Sequence, residues 1–277
     1  MRKTTWRAGS LSILIAACLT MAAPMGVAEE RSRAGEEEAF SVGSDVALSS
    51  LISLSDGHIQ ELADSLYIVA ATDAARSGDW EQIRPYLAAV SERSVAALNW
   101  FALPDGSYWS VQNGREDGNL AARDYFPQVL AGNAVTGDLV VSRATGKPVA
   151  IVAVPIERFD GSVIGVLGSS VYLDQLSAQI GREMGLSETE IFYSFDETPI
   201  VALAYDSDLV FFEPLEAGDR ELATAFMTML QSDSGTVTYT FRGRERTVVY
   251  RRSDVTGWWY AFGIVEEESD RPETPVP

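Results

Sequence analysis

Three apolar, β-branched runs follow one another between residues 119 and 177 with very little chain between them, and no other feature constrains the fold as much. The runs cover 138–142, 149–156 and 163–173. Ala144-Thr145-Gly146-Lys147-Pro148 separates the first two, and Asp160-Gly161 the last two. A parallel crossover needs a dozen or more residues, so strands this close together pair antiparallel. The pattern predicts a short helix over 125–131 just ahead of them, stopped by Gly132-Asn133. Before that helix comes an expected strand over 107–111, entered through the turn Pro104-Asp105-Gly106. Strand, polar loop, short helix and three-strand meander describe one antiparallel sheet with a half-covered concave face. A small ligand fits such a face.

The order recurs after Gly185-Leu186-Ser187. Short strands are expected over 191–195 and 200–203, an amphipathic helix over 221–230, and a meander over 235–241, 247–250 and 258–264. Along the first strand of that meander Val237, Tyr239 and Phe241 alternate with Thr236, Thr238 and Thr240, so one face is buried and one is wet. Ahead of both sheets, Leu48, Leu51, Ile59, Leu62, Leu66 and Val69 fall at three- and four-residue spacings, with Ser55 at the one missing position. This predicts a long helix from Ser44 or Asp45 to about Ala75. Its apolar stripe packs on the chain's own sheets or pairs two copies of the chain. Ser77-Gly78-Asp79 is a turn, and Asp79 caps a second helix from Trp80 to about Val95, with Pro85 expected to kink it.

Arg2, Lys3 and Arg7 precede an apolar run over 11–23, and Pro24 and Gly26-Val27-Ala28 follow it. This is the pattern of a secretory signal peptide cut after Ala28. Ile15-Ala16-Ala17-Cys18 offers a rival reading as a lipobox with Cys18 lipidated. Either way the protein is expected to be exported to the periplasm, and the lipobox adds a lipid anchor. Cys18 is the single cysteine, which leaves the remaining chain without disulfide chemistry. Residues 29–43 are charged and lack pattern, and read as a disordered linker. The chain carries 40 Asp and Glu against 21 Lys and Arg, a net charge of −19. Such a surface repels nucleic acid and anionic membranes. The expected fold class is α+β, a long N-terminal helix over residues 44–98 with its successor, then two modules over 99–184 and 185–265, each with its own core. An acidic, Pro-rich tail over 266–277 ends the chain.

These residues also carry a resemblance. Arg123-Asp124-Tyr125-Phe126, Gly137-Asp138-Leu139-Val140-Val141-Ser142, Ala153-Val154-Pro155-Ile156 and the run from Asp160 to Gly168 stand in the order of the membrane-distal module of a double Cache (PAS-like) extracellular sensor. Gly235 to Phe241 followed by Thr256-Gly257-Trp258 and Tyr260 resembles its membrane-proximal module. The likeness spans about residues 46–265. It implies a sensor of small molecules that acts through a separate partner, a membrane sensor kinase or a transporter, since no signalling region follows residue 265. In relatives that bind amino acids, the Arg-x-aromatic-aromatic element holds the ligand carboxylate and an Asp on the last strand holds the ammonium. Here Arg123 is present, but Ser170 stands where that Asp is expected, and Gly118 replaces the usual upstream Tyr. The resemblance therefore favours an organic acid over an α-amino acid.

Arg123 leads the candidate ligand-binding residues, because a guanidinium offers a fixed fork of donors to a carboxylate. The plainer alternative is a salt bridge to Asp124 or Asp138. Tyr125 and Phe126 are candidate walls. Tyr108 is chosen over Trp109, which is expected to face the long helix. Ser142, Ser170 and Tyr172 complete the set, and the two serines have backbone capping as the alternative. Tyr193, Arg251 and Trp258 are weaker candidates for a cavity in the second module. Enzymatic readings lack support: His58 is the single histidine, no Gly-x-Ser-x-Gly elbow occurs, and Thr145-Gly146-Lys147 lacks the spacing of a phosphate loop. No cofactor or metal is expected. The competing function is an interaction protein that binds a partner through its acidic surface or its long helix.

Overall fold

The computed structural model describes residues 25–265, with side chains from residue 43 onward. The apolar run expected as a signal-peptide core, Cys18 and the acidic tail lie outside the described residues. Three helices come first: α1 (Met25–Ala70), α2 (Asp73–Ser77) and α3 (Trp80–Ser91). The first sheet is built from β1 (Ala97–Ala102), β2 (Ser107–Ser110), β3 (Gly114–Asn119), β4 (Val135–Val141), β5 (Pro148–Glu157) and β6 (Val163–Tyr172), with α4 (Phe126–Leu130) between β3 and β4. After α5 (Leu173–Met184), the second sheet uses β7 (Glu190–Phe195), β8 (Val201–Ala204), β9 (Ser234–Phe241), β10 (Arg244–Arg252) and β11 (Trp259–Val265). A single 3₁₀ turn at Ser207–Leu209 and α6 (Arg220–Leu230) lie between β8 and β9.

Strand order is β3-β2-β1-β6-β5-β4 in the first sheet and β8-β7-β11-β10-β9 in the second. Every pairing is antiparallel. Apart from the extra edge strand β3, the two sheets share one topology. The fold is α+β, a long N-terminal helix followed by two antiparallel sheets, as the pattern predicts.

Strand β5 explains how the sheets are covered. Ala150, Val152, Val154 and Ile156 enter one apolar cluster, whereas Val149, Ile151 and Ala153 enter another. A strand buried on both faces reads as a continuous apolar run, not as an alternation. On one side the α1 stripe of Leu48, Leu51, Ile59, Leu62 and Leu66 packs with those β5 residues and also with Val249, Tyr260 and Phe262 of the second sheet. On the other side, α4 covers the first sheet with Phe126 and Val129, and α6 covers the second with Leu222, Phe226 and Met229. The expectation of a separate core in each module is therefore corrected: one core is shared, and each sheet has a further one of its own.

Other expectations change as well. The stretch 29–43 lies within helix α1, not in a linker, because Ala, Glu and Arg are strong helix formers and extend a helix already nucleated downstream. The helix stops at Ala70, where Thr72 accepts a bond from the Ala75 amide at 3.1 Å and starts α2. Because the α1 stripe is buried on the chain's own sheets, it is spent there and does not offer the homodimer face considered above. No helix among the described residues is long and apolar enough to cross a membrane.

The two sheets also meet directly. Trp258 Nε1 donates to the Gly137 carbonyl at 3.0 Å, and the Thr136 hydroxyl donates to the Val255 carbonyl at 2.8 Å. Gly137 sits at a bulge in β4 with φ +107°, and a Cβ there would stand 3.2–3.3 Å from Thr256 and Trp258. Glycine is what permits this close approach.

Candidate functional site

On the α4 side of the first sheet, β1, β2, β4 and β6 and the loop before α4 converge on a small cavity. Tyr108, Arg123, Tyr125, Ser142 and Ser170 line it, joined by Trp100 and Arg143. Five of the seven candidate residues are thus brought together. Phe126 is 1% exposed and packs in the core beneath α4, outside this lining. Tyr172 also lies outside it, at the end of β6, where the Lys147 ammonium stands 5.3 Å from its ring centroid. The reason is geometric: a helix turn aims successive side chains apart, and Tyr172 has reached the rim where β6 gives way to α5.

The cavity measures about 20 Å³, room for one water. Trp100 accounts for most of this. Its ring lies across the sheet over Gly168, its partner on β6, and a Cβ at 168 would fall 2.1 Å from Trp100 Cζ2. The indole Nε1 donates to Ser170 Oγ at 3.2 Å, so Ser170 is engaged by the protein itself. The Ser142 hydroxyl accepts from the Thr145 amide at 3.3 Å, the turn-capping alternative, while still facing the cavity. Tyr108 packs its hydroxyl end against Gly118, where a Cβ would come within 3.2 Å of Oη. Trp109 faces the opposite way and stacks on Phe101 at 5.9 Å.

Two guanidiniums lace the mouth. Arg123 Nη2 donates to the Val141 carbonyl at 2.7 Å, and Arg143 Nη1 donates to the Asn119 carbonyl at 2.5 Å. Arg123 thus bonds to a neutral carbonyl, not to the Asp124 or Asp138 carboxylate of the plainer alternative. Burial raises the pKa of both Tyr108 and Tyr125, and the charges of Arg123 and Arg143 pull each back down. At Tyr108 the Glu116 charge adds to burial and counts for more than either arginine; at Tyr125 Arg123 is the largest effect opposing burial. Arg143 and Trp100 were not legible as site residues. One opens a turn that reads as surface, and the other acts through a cross-strand contact.

Arg123 also borders a larger cleft of about 530 Å³. Its walls come from β4 and from the β7–β8 and β10–β11 turns, and include Asp124, Asp138, Asp196, Glu197 and Arg252. Half-buried Asp138 has its carboxyl pKa raised, first by burial and then by the charges of Asp124, Asp196 and Glu197. Trp258 borders this cleft, whereas Arg251 donates to Ser49 Oγ at 2.8 Å. His58 Nε2 lies 3.1 Å from Glu183 Oε2. Among the described residues no cluster of three or more His, Cys, Asp or Glu is arranged to hold a metal.

No family model matches the sequence, and no curated protein matches it. Solved structures do match. Methyl-accepting Chemotaxis protein X is 17% identical with a TM-score of 0.66, covering 83% of this chain and 99% of that one. The ligand-binding domain of the Pseudomonas aeruginosa PAO1 amino acid chemoreceptor PctB, in complex with L-Arg, is 14% identical with a TM-score of 0.64, covering 82% and 97%. An extracellular domain assigned to a histidine kinase, rpHK1S-Z16, is 15% identical with a TM-score of 0.67, covering 84% and 95%. At such identities the likeness is one of fold.

Proposed function

We propose that this chain, whose fold is that of the double Cache sensor domains of chemoreceptors and histidine kinases, is an exported, non-catalytic sensor of a small carboxylate-bearing metabolite. The observation that carries the reading is the pair of arginines at the mouth of the first cavity, each held by a backbone carbonyl. Charge-assisted bonds to a carboxylate are about twice as strong as bonds to neutral acceptors, so a ligand carboxylate competes well for Arg123 and Arg143. The cavity admits one water, so binding has to displace the Val141 and Asn119 carbonyls and open the mouth. That displacement is the signal, read by a membrane kinase or transporter.

Neighbouring structures hold L-Arg and L-isoleucine, so amino acids belong in any screen. Here the amine side is weak: Ser170 is neutral and already bonded to Trp100. An organic acid suits the site better. Thermal-shift screening of mono- and dicarboxylates and amino acids against the whole chain tests this. A ligand at 100 times its dissociation constant stabilises by about 2.7 kcal/mol. Arg123→Ala is expected to weaken the hit about tenfold or more, since bonds to charged groups contribute about 1.5–3 kcal/mol. A hit indifferent to Arg123→Ala overturns the assignment.

A second reading has one observation in its favour, the 530 Å³ acid-walled cleft, whose size suits a ligand or a partner's side chain better than the first cavity does. In that reading the protein is an interaction module, and the cleft takes an ammonium or guanidinium group. Its mark is a hit that Asp138→Asn abolishes and Arg123→Ala leaves intact.

A further inference from the structure

One guanidinium is buried in the second module, on the face of the sheet covered by α6. Arg246 of β10 is 5% exposed, cross-strand from Tyr239 and Val265. Among the described residues no carboxylate pairs with it. Nη1 donates to the Tyr205 hydroxyl at 3.1 Å, and Nε has no partner. Cζ stands 4.9 Å from the Phe241 ring centroid and 5.7 Å from that of Tyr205. Aromatic faces offset only part of the penalty for burying a cation, which is several kcal/mol per ion. The nearby Asp206 carboxylate lies 3.5 Å from Arg242.

Arg246 borders a cavity of about 30 Å³ whose remaining wall is almost wholly apolar, including Val201, Leu209 and Phe226. Two of the three phenols that border it donate elsewhere: Tyr239 donates to the Tyr193 hydroxyl at 3.0 Å, and Tyr193 donates to Met229 Sδ at 3.8 Å, whereas Tyr205 accepts from Arg246. This cavity lies between the sheet and its covering helix, whereas the first module's lies between its own sheet and the loop before α4.

We propose that it is a binding site for a short monocarboxylate of acetate or propionate size. The carboxylate meets the free Nε–H of Arg246 and the Tyr205 hydroxyl, and the methyl or ethyl tail lies against Val201, Leu209 and Phe226. The volume suits about two waters, which limits the chain to two or three carbons. A tetrahedral oxyanion fits worse, because oxygens turned to the apolar wall would lose their hydrogen bonds. The site is independent of the reading given to Arg123.

The test titrates the full chain with sodium acetate and sodium propionate at constant ionic strength, using acetamide as the neutral control. Melting temperature and the ¹⁵N-labelled arginine Nε–H resonances are followed. Both carboxylates are expected to raise the melting temperature saturably and to shift one solvent-protected Nε–H signal, while acetamide does neither. Arg246→Gln is expected to weaken acetate about tenfold or more, and Arg123→Ala to leave it unchanged. Should Arg246→Gln not fold, Val201→Leu adds one methylene to the wall and is expected to weaken propionate more than acetate. The proposal is overturned by no saturable response in the millimolar range, by acetamide matching acetate, by loss of binding in Arg123→Ala, or by a Val201→Leu variant that binds both acids as before.

Discussion

Glycine at 168 decides how much room the first module has. Without a side chain there, the Trp100 ring lies flat on β6 and its indole reaches Ser170. Gly168→Ala forces a Cβ into that ring and is expected to cost about 1–3 kcal/mol in chemical denaturation. A change near zero would mean that Trp100 moves aside at no cost. Asp138 offers a pH test. Its folded pKa is raised above the ordinary 3.8, mainly by burial, so ionisation penalises the native state at neutral pH. The native state holds the extra proton, and the penalty fades as pH falls through the folded pKa. Asp138→Asn is therefore expected to stabilise the protein at pH 7, with an advantage that shrinks on acidification; a pH-independent advantage would refute this. At this scale legibility was partial. Arg123, Tyr108 and Tyr125 could be placed because a motif and strand alternation locate them. Trp100, Arg143 and Arg246 could not, because their roles come from a facing strand, a turn and a covering helix, none of which is local in sequence.

Elements were legible where one rule governed them. The β-branched runs of β4, β5 and β6 follow directly from turn spacing. Strand β1 has no alternation, since all six residues are buried, and β3 reads Gly-Arg-Glu-Asp-Gly-Asn, with no apolar residue at all. It is a strand only because β2 offers it an edge. Helix α5 does carry a pattern, Leu173, Leu176 and Ile180 ending at left-handed Gly185, but it follows β6 without a break. The long helix is the most consequential element. Leu62 is fully buried in the cluster that takes residues from both sheets. Leu62→Ala is expected to cost about 2–5 kcal/mol and to shift a single calorimetric transition as one. Two separately resolved transitions, only one of them moved, would contradict the common core.

Across the whole molecule, the two sheets repeat one topology and are joined by the face they share. What differs is the far side of each. There the first module places two arginines at the rim, and the second buries one inside. This division was beyond the sequence, because an arginine at the start of a strand reads as surface until a helix is seen to cover it.

Strand β4 is held at both ends by unlike means. Near one end the Arg123 guanidinium grips the Val141 carbonyl, the hold that the proposed acid ligand would take away. Near the other, the Trp258 indole grips Gly137 from the second module, a hold that no ligand of the first cavity touches. On the proposed reading the Val141 end of β4 is the one a ligand frees, while its pairing to β5 and the Trp258 bond keep the Gly137 end in register with the second module.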